Sequence, residues 1–152
     1  MSSHHLRVIP ADPTWVPEPE RAEAARLLLA RLAPRSREVT AEASEKVEFV
    51  DSGGNFDRIL CPACGSELEL RWWQDAMDAA YDRESGFGSL DVVTPCCGCD
   101  SSLNDLNYTW ASGFSRFVIV AKDYGRYALD EGELAQLAQA LGCAVRAIYA
   151  RI

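Results

Sequence analysis

Apolar and polar residues alternate along residues 37–50. Val39, Ala41, Ala43, Val47 and Phe49 share one parity, and Thr40, Glu42, Ser44, Lys46 and Glu48 share the other. A period of two over this length predicts a long strand with one exposed face. Its polar face predicts a sheet covered on one side only. Residues 5–11 read as an earlier strand that ends at Pro10, followed by the turn Asp12-Pro13-Thr14. Pro17 and Pro19 suit the first turn of a helix, where a missing amide donor costs little. Ala22, Ala25, Leu28, Leu29 and Leu32 then recur at helical spacing, and Pro34 ends the pattern. After the long strand, Asp51-Ser52-Gly53-Gly54-Asn55 is a break.

The second half begins with a helical pattern from Leu68 to Arg83. Trp72, Trp73, Ala76, Met77, Ala80 and Tyr81 form its apolar stripe. Ser85 to Gly88 read as a loop, and Leu90 to Thr94 as a short strand. Residues 101–110 read as turns, with Tyr108 and Trp110 as packing or contact aromatics. Phe114 to Lys122 is the most apolar run and predicts a central strand. Asp130 with Glu133 forms a capping-box pattern. Leu134, Leu137, Ala138 and Leu141 supply the inner face of the helix that follows. Gly142 terminates it, and Val145 to Ile152 read as a last strand.

With residues 56–110 set aside, the order is strand, helix, strand, strand, helix, strand. This predicts an α+β fold, a ferredoxin-like βαββαβ sandwich of four antiparallel strands with two helices on one face. Residues 1–55 and 111–152 would form that core, and residues 56–110 a separate inserted module. The insertion falls where a hairpin turn normally lies. It costs little loop entropy there if it folds on its own metal.

The chain has 152 residues, 48% of them apolar, which suits one domain carrying an insertion. No apolar run approaches the ~20 residues of a membrane span. No secretory leader is expected from the first residues. Residues 2–5, Ser-Ser-His-His, read as a frayed start, with His4 and His5 on a flexible terminus rather than as metal ligands. The formal charge is −8 and uneven. Residues 56–110 hold ten acids and three arginines, Arg58, Arg71 and Arg83. A segment this acidic repels phosphates, so nucleic acid is not an expected partner. A basic protein is. Asp75, Asp78 and Asp82 lie at helical spacing and read as a solvated helix face.

Chemistry concentrates in the cysteines. Five of the six fall in two knuckles, Cys61-Pro62-Ala63-Cys64-Gly65 and Pro95-Cys96-Cys97-Gly98-Cys99. Without an export signal, this spacing favours metal over disulfides and a reducing, cytoplasmic setting. Thiolates two residues apart reach one ion from a single turn, and two such pairs complete a tetrahedral Zn2+ site. Cys61, Cys64, Cys96 and Cys99 are the expected ligands, because Cys96 and Cys99 keep the two-residue gap. Cys97 with Cys99 would make a tighter alternative; otherwise Cys97 is a spare thiol. Cys143 stands apart and reads as a small buried hydrophobe. A closed four-sulfur site leaves no position for substrate, so the zinc is expected to hold structure.

The Cys-Pro-x-Cys-Gly knuckle resembles the first knuckle of zinc-ribbon proteins over about a third of the chain. The chain as a whole resembles small uncharacterised bacterial zinc-ribbon proteins, a resemblance that implies a zinc module but no activity. The expected function is therefore a non-enzymatic interaction or adaptor protein. The alternative is a zinc-dependent hydrolase or deaminase. Pro95-Cys96-x-x-Cys99 resembles half of the zinc nucleoside deaminase motif, whose other half needs His or Cys, one residue, then Glu. Here the glutamate, Glu67, follows Cys64 one residue too late. Enzymatic activity is the less expected reading.

Overall fold

The computed structural model describes residues 3–152. In chain order, β1 (His4–Pro10), α1 (Pro19–Leu32) and β2 (Glu38–Val50) come first. The middle holds β3 (Ile59–Leu60), α2 (Leu70–Ala80), β4 (Tyr81–Asp82), β5 (Gly86–Phe87), β6 (Asp91–Val93), β7 (Asp100–Ser102) and β8 (Asn107–Tyr108). The chain closes with β9 (Gly113–Lys122), α3 (Glu131–Leu141) and β10 (Val145–Arg151). No described helix is long and apolar enough to cross a membrane. His4 and His5 are not frayed. They pair with Arg151 and Ala150 of β10, because the β1–β10 register runs the full length of both strands. Ser2 lies outside the described residues.

The fold is mixed α+β with a mostly antiparallel sheet. Its strand order is β10-β1-β9-β2-β5-β4, and β10, β1, β9 and β2 pair antiparallel. Leu6 and Val8 of β1 and Phe117, Ile119 and Ala121 of β9 share one face. Ala25 and Leu29 of α1 and Leu137 and Leu141 of α3 pack on it, all of them buried. The alternation that made one face apolar is what both helices cover. α3 begins as its residues dictate. Asp130 accepts from the Glu133 amide, the Glu133 carboxylate accepts from the Asp130 amide, and Arg126 clamps that carboxylate.

β2 departs from the simple alternation. Ala41 pairs with Ile119, but Phe49 pairs with Phe114. Between Ala43 and Glu48 a step of five residues on β2 answers a step of two on β9. The odd difference turns the later part of the strand over, as a bulge does. Val39 and Ala41 therefore face the helices, while Val47 and Phe49 join the opposite cluster. Polar groups satisfy the irregular backbone. The Arg116 guanidinium donates to the Ser44 carbonyl at 3.0 Å, and the Ser115 hydroxyl bonds both backbone groups of Phe117.

On that opposite face Phe114, Phe49 and Val47 meet the middle segment. They pack with Ile59, Leu68, Leu103, Leu106, Tyr108, Trp73, Met77 and Phe87 in a second core. A buried polar latch reinforces the junction. The Asn104 side-chain oxygen accepts from the Phe114 amide at 3.0 Å and from Arg146 at 3.2 Å. Its amide nitrogen donates to the Ala11 carbonyl at 3.1 Å. Arg146 also donates to the Asn104 and Ser112 carbonyls. The sequence presents Asn104 only as a turn residue, because its partners lie on three distant strands and loops. Asn104→Ala leaves a buried N–H and part of a guanidinium unpaired. It should destabilise the protein by about 1–3 kcal/mol in urea unfolding; a change within a few tenths would show the latch to be idle.

Candidate metal centre

β3 delivers the first knuckle, and the β6–β7 hairpin is the second. Each is a tight turn closed by the same two hydrogen bonds. In the first, the Cys61 amide donates to the Ser66 carbonyl at 2.8 Å and the Gly65 amide to the Cys61 carbonyl at 2.9 Å. In the second, the Thr94 amide donates to the Cys99 carbonyl at 3.0 Å and the Gly98 amide to the Thr94 carbonyl at 2.9 Å. Gly65 and Gly98 both take positive φ, 77° and 69°, which glycine adopts without strain. The turns are therefore equivalent residue for residue. Cys61-Pro62-Ala63-Cys64-Gly65-Ser66 matches Thr94-Pro95-Cys96-Cys97-Gly98-Cys99.

This equivalence places a buried threonine, Thr94, where the first knuckle has Cys61. Cys97 occupies the place of Cys64. Cys96 and Cys99 occupy the places of Ala63 and Ser66. The shared proline and glycine carry this signal in the sequence, but a two-residue cysteine gap does not reveal it.

Among the described residues, the sulfurs of Cys61, Cys64, Cys96 and Cys97 all lie within 4.8 Å of one another. Four closely spaced thiols of this kind could hold a metal ion. A four-sulfur tetrahedron with bonds near 2.3 Å has edges of about 3.8 Å. The Cys61–Cys97 separation is 3.8 Å, and the Cys64–Cys96 separation is 3.3 Å. Cys99, read from the sequence as a ligand, is at the margin of this group. Its sulfur is 3.9 Å from Cys61 and 3.1 Å from the Thr94 hydroxyl. Cys97, read as spare, lies inside the group. Cys143 stays apart, half-buried against the helix-side core, where burial and then Asp12 raise its thiol.

The turns also set the electrostatics. The Cys64 and Ala63 amides face the Cys61 sulfur and hold its thiol down to about 5. The Ser66 hydroxyl and amide lower Cys64. Desolvation and the neighbouring Cys64 and Cys61 thiols push Cys96 up to about 12. The Thr94 hydroxyl works to lower Cys99, but desolvation and its thiol neighbours leave it raised.

Around the centre, Glu67, Leu68, Glu69, Trp72, Pro95 and Cys96 line a shallow cavity of about 400 Å³. The Glu67 carboxylate lies 3.7 Å from Arg58. A second open groove, about 320 Å³, runs between α2 and β6, with Trp72, Ala76, Ala79, Val92 and Val93 on its walls. The aromatics divide. Trp73 and Tyr108 pack with Phe49 and Phe56, and Trp73 donates to the Tyr108 hydroxyl at 3.1 Å. Trp110 and Tyr81 stay exposed. α2 ends at Ala80, short of the Arg83 expected from the stripe, because Tyr81 turns to extended backbone and enters β4. Asp82 therefore leaves the face shared by Asp75 and Asp78, and its carboxylate accepts from the Glu84 and Ser85 amides. Compared with family models, curated proteins and solved structures, the chain finds no match in any of the three.

Proposed function

We propose that this protein is a zinc-binding, non-enzymatic interaction protein, a ferredoxin-like scaffold carrying a zinc-ribbon-like module. The strand order β10-β1-β9-β2, with α1 and α3 on one face, supports the scaffold reading. The observation that carries the function is the convergence of thiols from two equivalent turns on one point. An all-sulfur donor set at tetrahedral spacing suits Zn2+. When bound, the ion cross-links the two turns. The amides facing Cys61 stabilise its thiolate, and Leu68, Leu103 and Ile59 are buried in one cluster with Cys61.

The working surface is the outer side of the module. The α2–β6 groove mixes the side chains of Trp72, Ala76, Val92 and Val93 with those of Ser89 and Asp91, and Val93 is exposed. Asp91 lines it, and Asp75 and Asp78 are exposed on α2, in a segment with ten acids and three arginines. Its occupant is a basic segment of another protein, held by apolar contact in the groove and charge at its rim. Reversing Asp75, Asp78 and Asp91 to lysine should abolish recovery of basic partners from lysate while zinc content is kept. Asp82 is left intact because it holds a turn. Unchanged recovery of the same partners would refute this surface.

A zinc hydrolase or deaminase is the second reading, because the cavity beside Cys96 also carries Glu67 and Glu69. The pairing of Glu67 with Arg58 and the surplus of thiols weigh against it. A water ligand in the absorption spectrum of the cobalt-substituted protein would favour it.

A further inference from the structure

The site has one thiol too many. Cys61, Cys64 and Cys97 hold the equivalent ligand positions of the two turns, and the fourth position, where Cys61 has its counterpart, is Thr94. A threonine hydroxyl is a poor substitute for a thiolate on a soft site. Two other residues of the same turn are placed to supply the missing sulfur. Cys96 closes the group with Cys61, Cys64 and Cys97, all within 4.8 Å of one another. Cys99 lies 3.9 Å from Cys61, about one tetrahedral edge. Thr94 holds it there, with its hydroxyl 3.1 Å from the Cys99 sulfur and 3.5 Å from Cys97. The Cys99 amide also donates to that hydroxyl at 3.3 Å.

We propose that the fourth ligand of the metal is exchangeable between Cys96 and Cys99, with Cys61, Cys64 and Cys97 as the fixed three. This rests on the zinc reading above. In the exchange, the metal–Cys96 bond breaks as the metal–Cys99 bond forms. Cys99 gives up its thiol proton and the released Cys96 thiolate takes one up, so the charge of the site is unchanged. The two states differ at the surface. Cys99 is half-buried, whereas Cys96 is exposed on the rim of the cavity with Glu67, Glu69 and Trp72. With Cys99 bound, a free thiol faces that cavity. With Cys96 bound, the thiol is withdrawn and the metal edge is presented instead. The site can therefore change what it shows to a partner without losing its ion.

The test uses the full chain, metal content by elemental mass spectrometry, and the absorption of the cobalt-substituted protein. Wild type should hold one metal with a four-sulfur spectrum. Cys96→Ser and Cys99→Ser should each keep both properties, and the double variant should fall to a three-sulfur spectrum and lose its metal to a chelator. A three-sulfur spectrum in one single variant, with the other unaffected, would overturn the exchange and identify a fixed ligand. Wild type that binds no metal would instead overturn the zinc reading itself. Limited alkylation of metal-loaded wild type covers the case of a variant that fails to fold. Apart from Cys143, single labels should be shared between Cys96 and Cys99; labels confined to one of them would refute the proposal.

Discussion

Metal-free protein should lose the middle segment and keep the sheet. Chelation, or Cys61→Ser, is expected to abolish amide protection across β6 and β7 and to shift Trp72 and Trp73 emission to the red. The β6–β7 hairpin has three residues per strand, and α2 has no fully buried residue. Neither can hold itself together, so under the zinc reading the hairpin and its turn depend on the cross-link between the turns. A structural zinc contributes on the order of 10 kcal/mol or more to such a module. The β1–β9–β10 sheet has its own buried core under α1 and α3, and its amides should stay protected. Acid works in the same direction as chelation. The backbone amides hold the Cys61 thiol down, whereas desolvation and the neighbouring thiols push Cys96 up, so Cys96 is the thiol that must give up a proton to bind. Metal uptake through Cys96 therefore releases a proton, and affinity falls as pH falls. Protection across residues 91–102 that survives metal removal would show that the thiols do not hold the module.

Phe114→Ala is the second large effect. Phe114 lies on β9 but faces away from the helices and is fully buried. Its ring centroid is 5.1 Å from Phe49 and 4.9 Å from Phe87. The same side chain thus belongs to the sheet by its backbone and to the middle segment by its packing. Truncation leaves a cavity where the sheet meets the middle segment, and should cost about 3–5 kcal/mol in urea unfolding. Phe114→Leu should cost markedly less, because most of the volume is kept. A loss below about 1 kcal/mol for the alanine variant would mean that this ring does not hold the middle segment to the sheet.

Much of the local structure was legible. The helix over residues 19–32 follows from Pro19 and the spacing of Ala25 and Leu29, and the α3 boundaries from Asp130, Glu133 and Gly142. Each of these signals lies within a turn or two of what it controls. The two-residue strands β3, β4, β5 and β8 were not legible, because a pair of residues has no period. The change of face in β2 was hidden by its own regularity. Glu45 is the single odd-numbered polar residue between Val39 and Phe49, and it falls where the strand turns over. At the metal centre, the knuckles announced themselves as cysteine pairs. The equivalence of Thr94 with Cys61 needed the hydrogen bonds of both turns side by side.

The sequence by itself determined where α1, α3 and the long strands lie, that thiols gather in two tight turns, and that the segment bearing them is acidic. These are matters of local stereochemistry and composition. Tertiary structure alone decided which five sulfurs meet, that Cys97 stands inside the group and Cys99 at its edge, and that Asn104 and Phe114 tie the middle segment to the sheet. Such contacts join residues 10 to 93 positions apart. Their geometry depends on the relative placement of strands and turns, which no local pattern encodes.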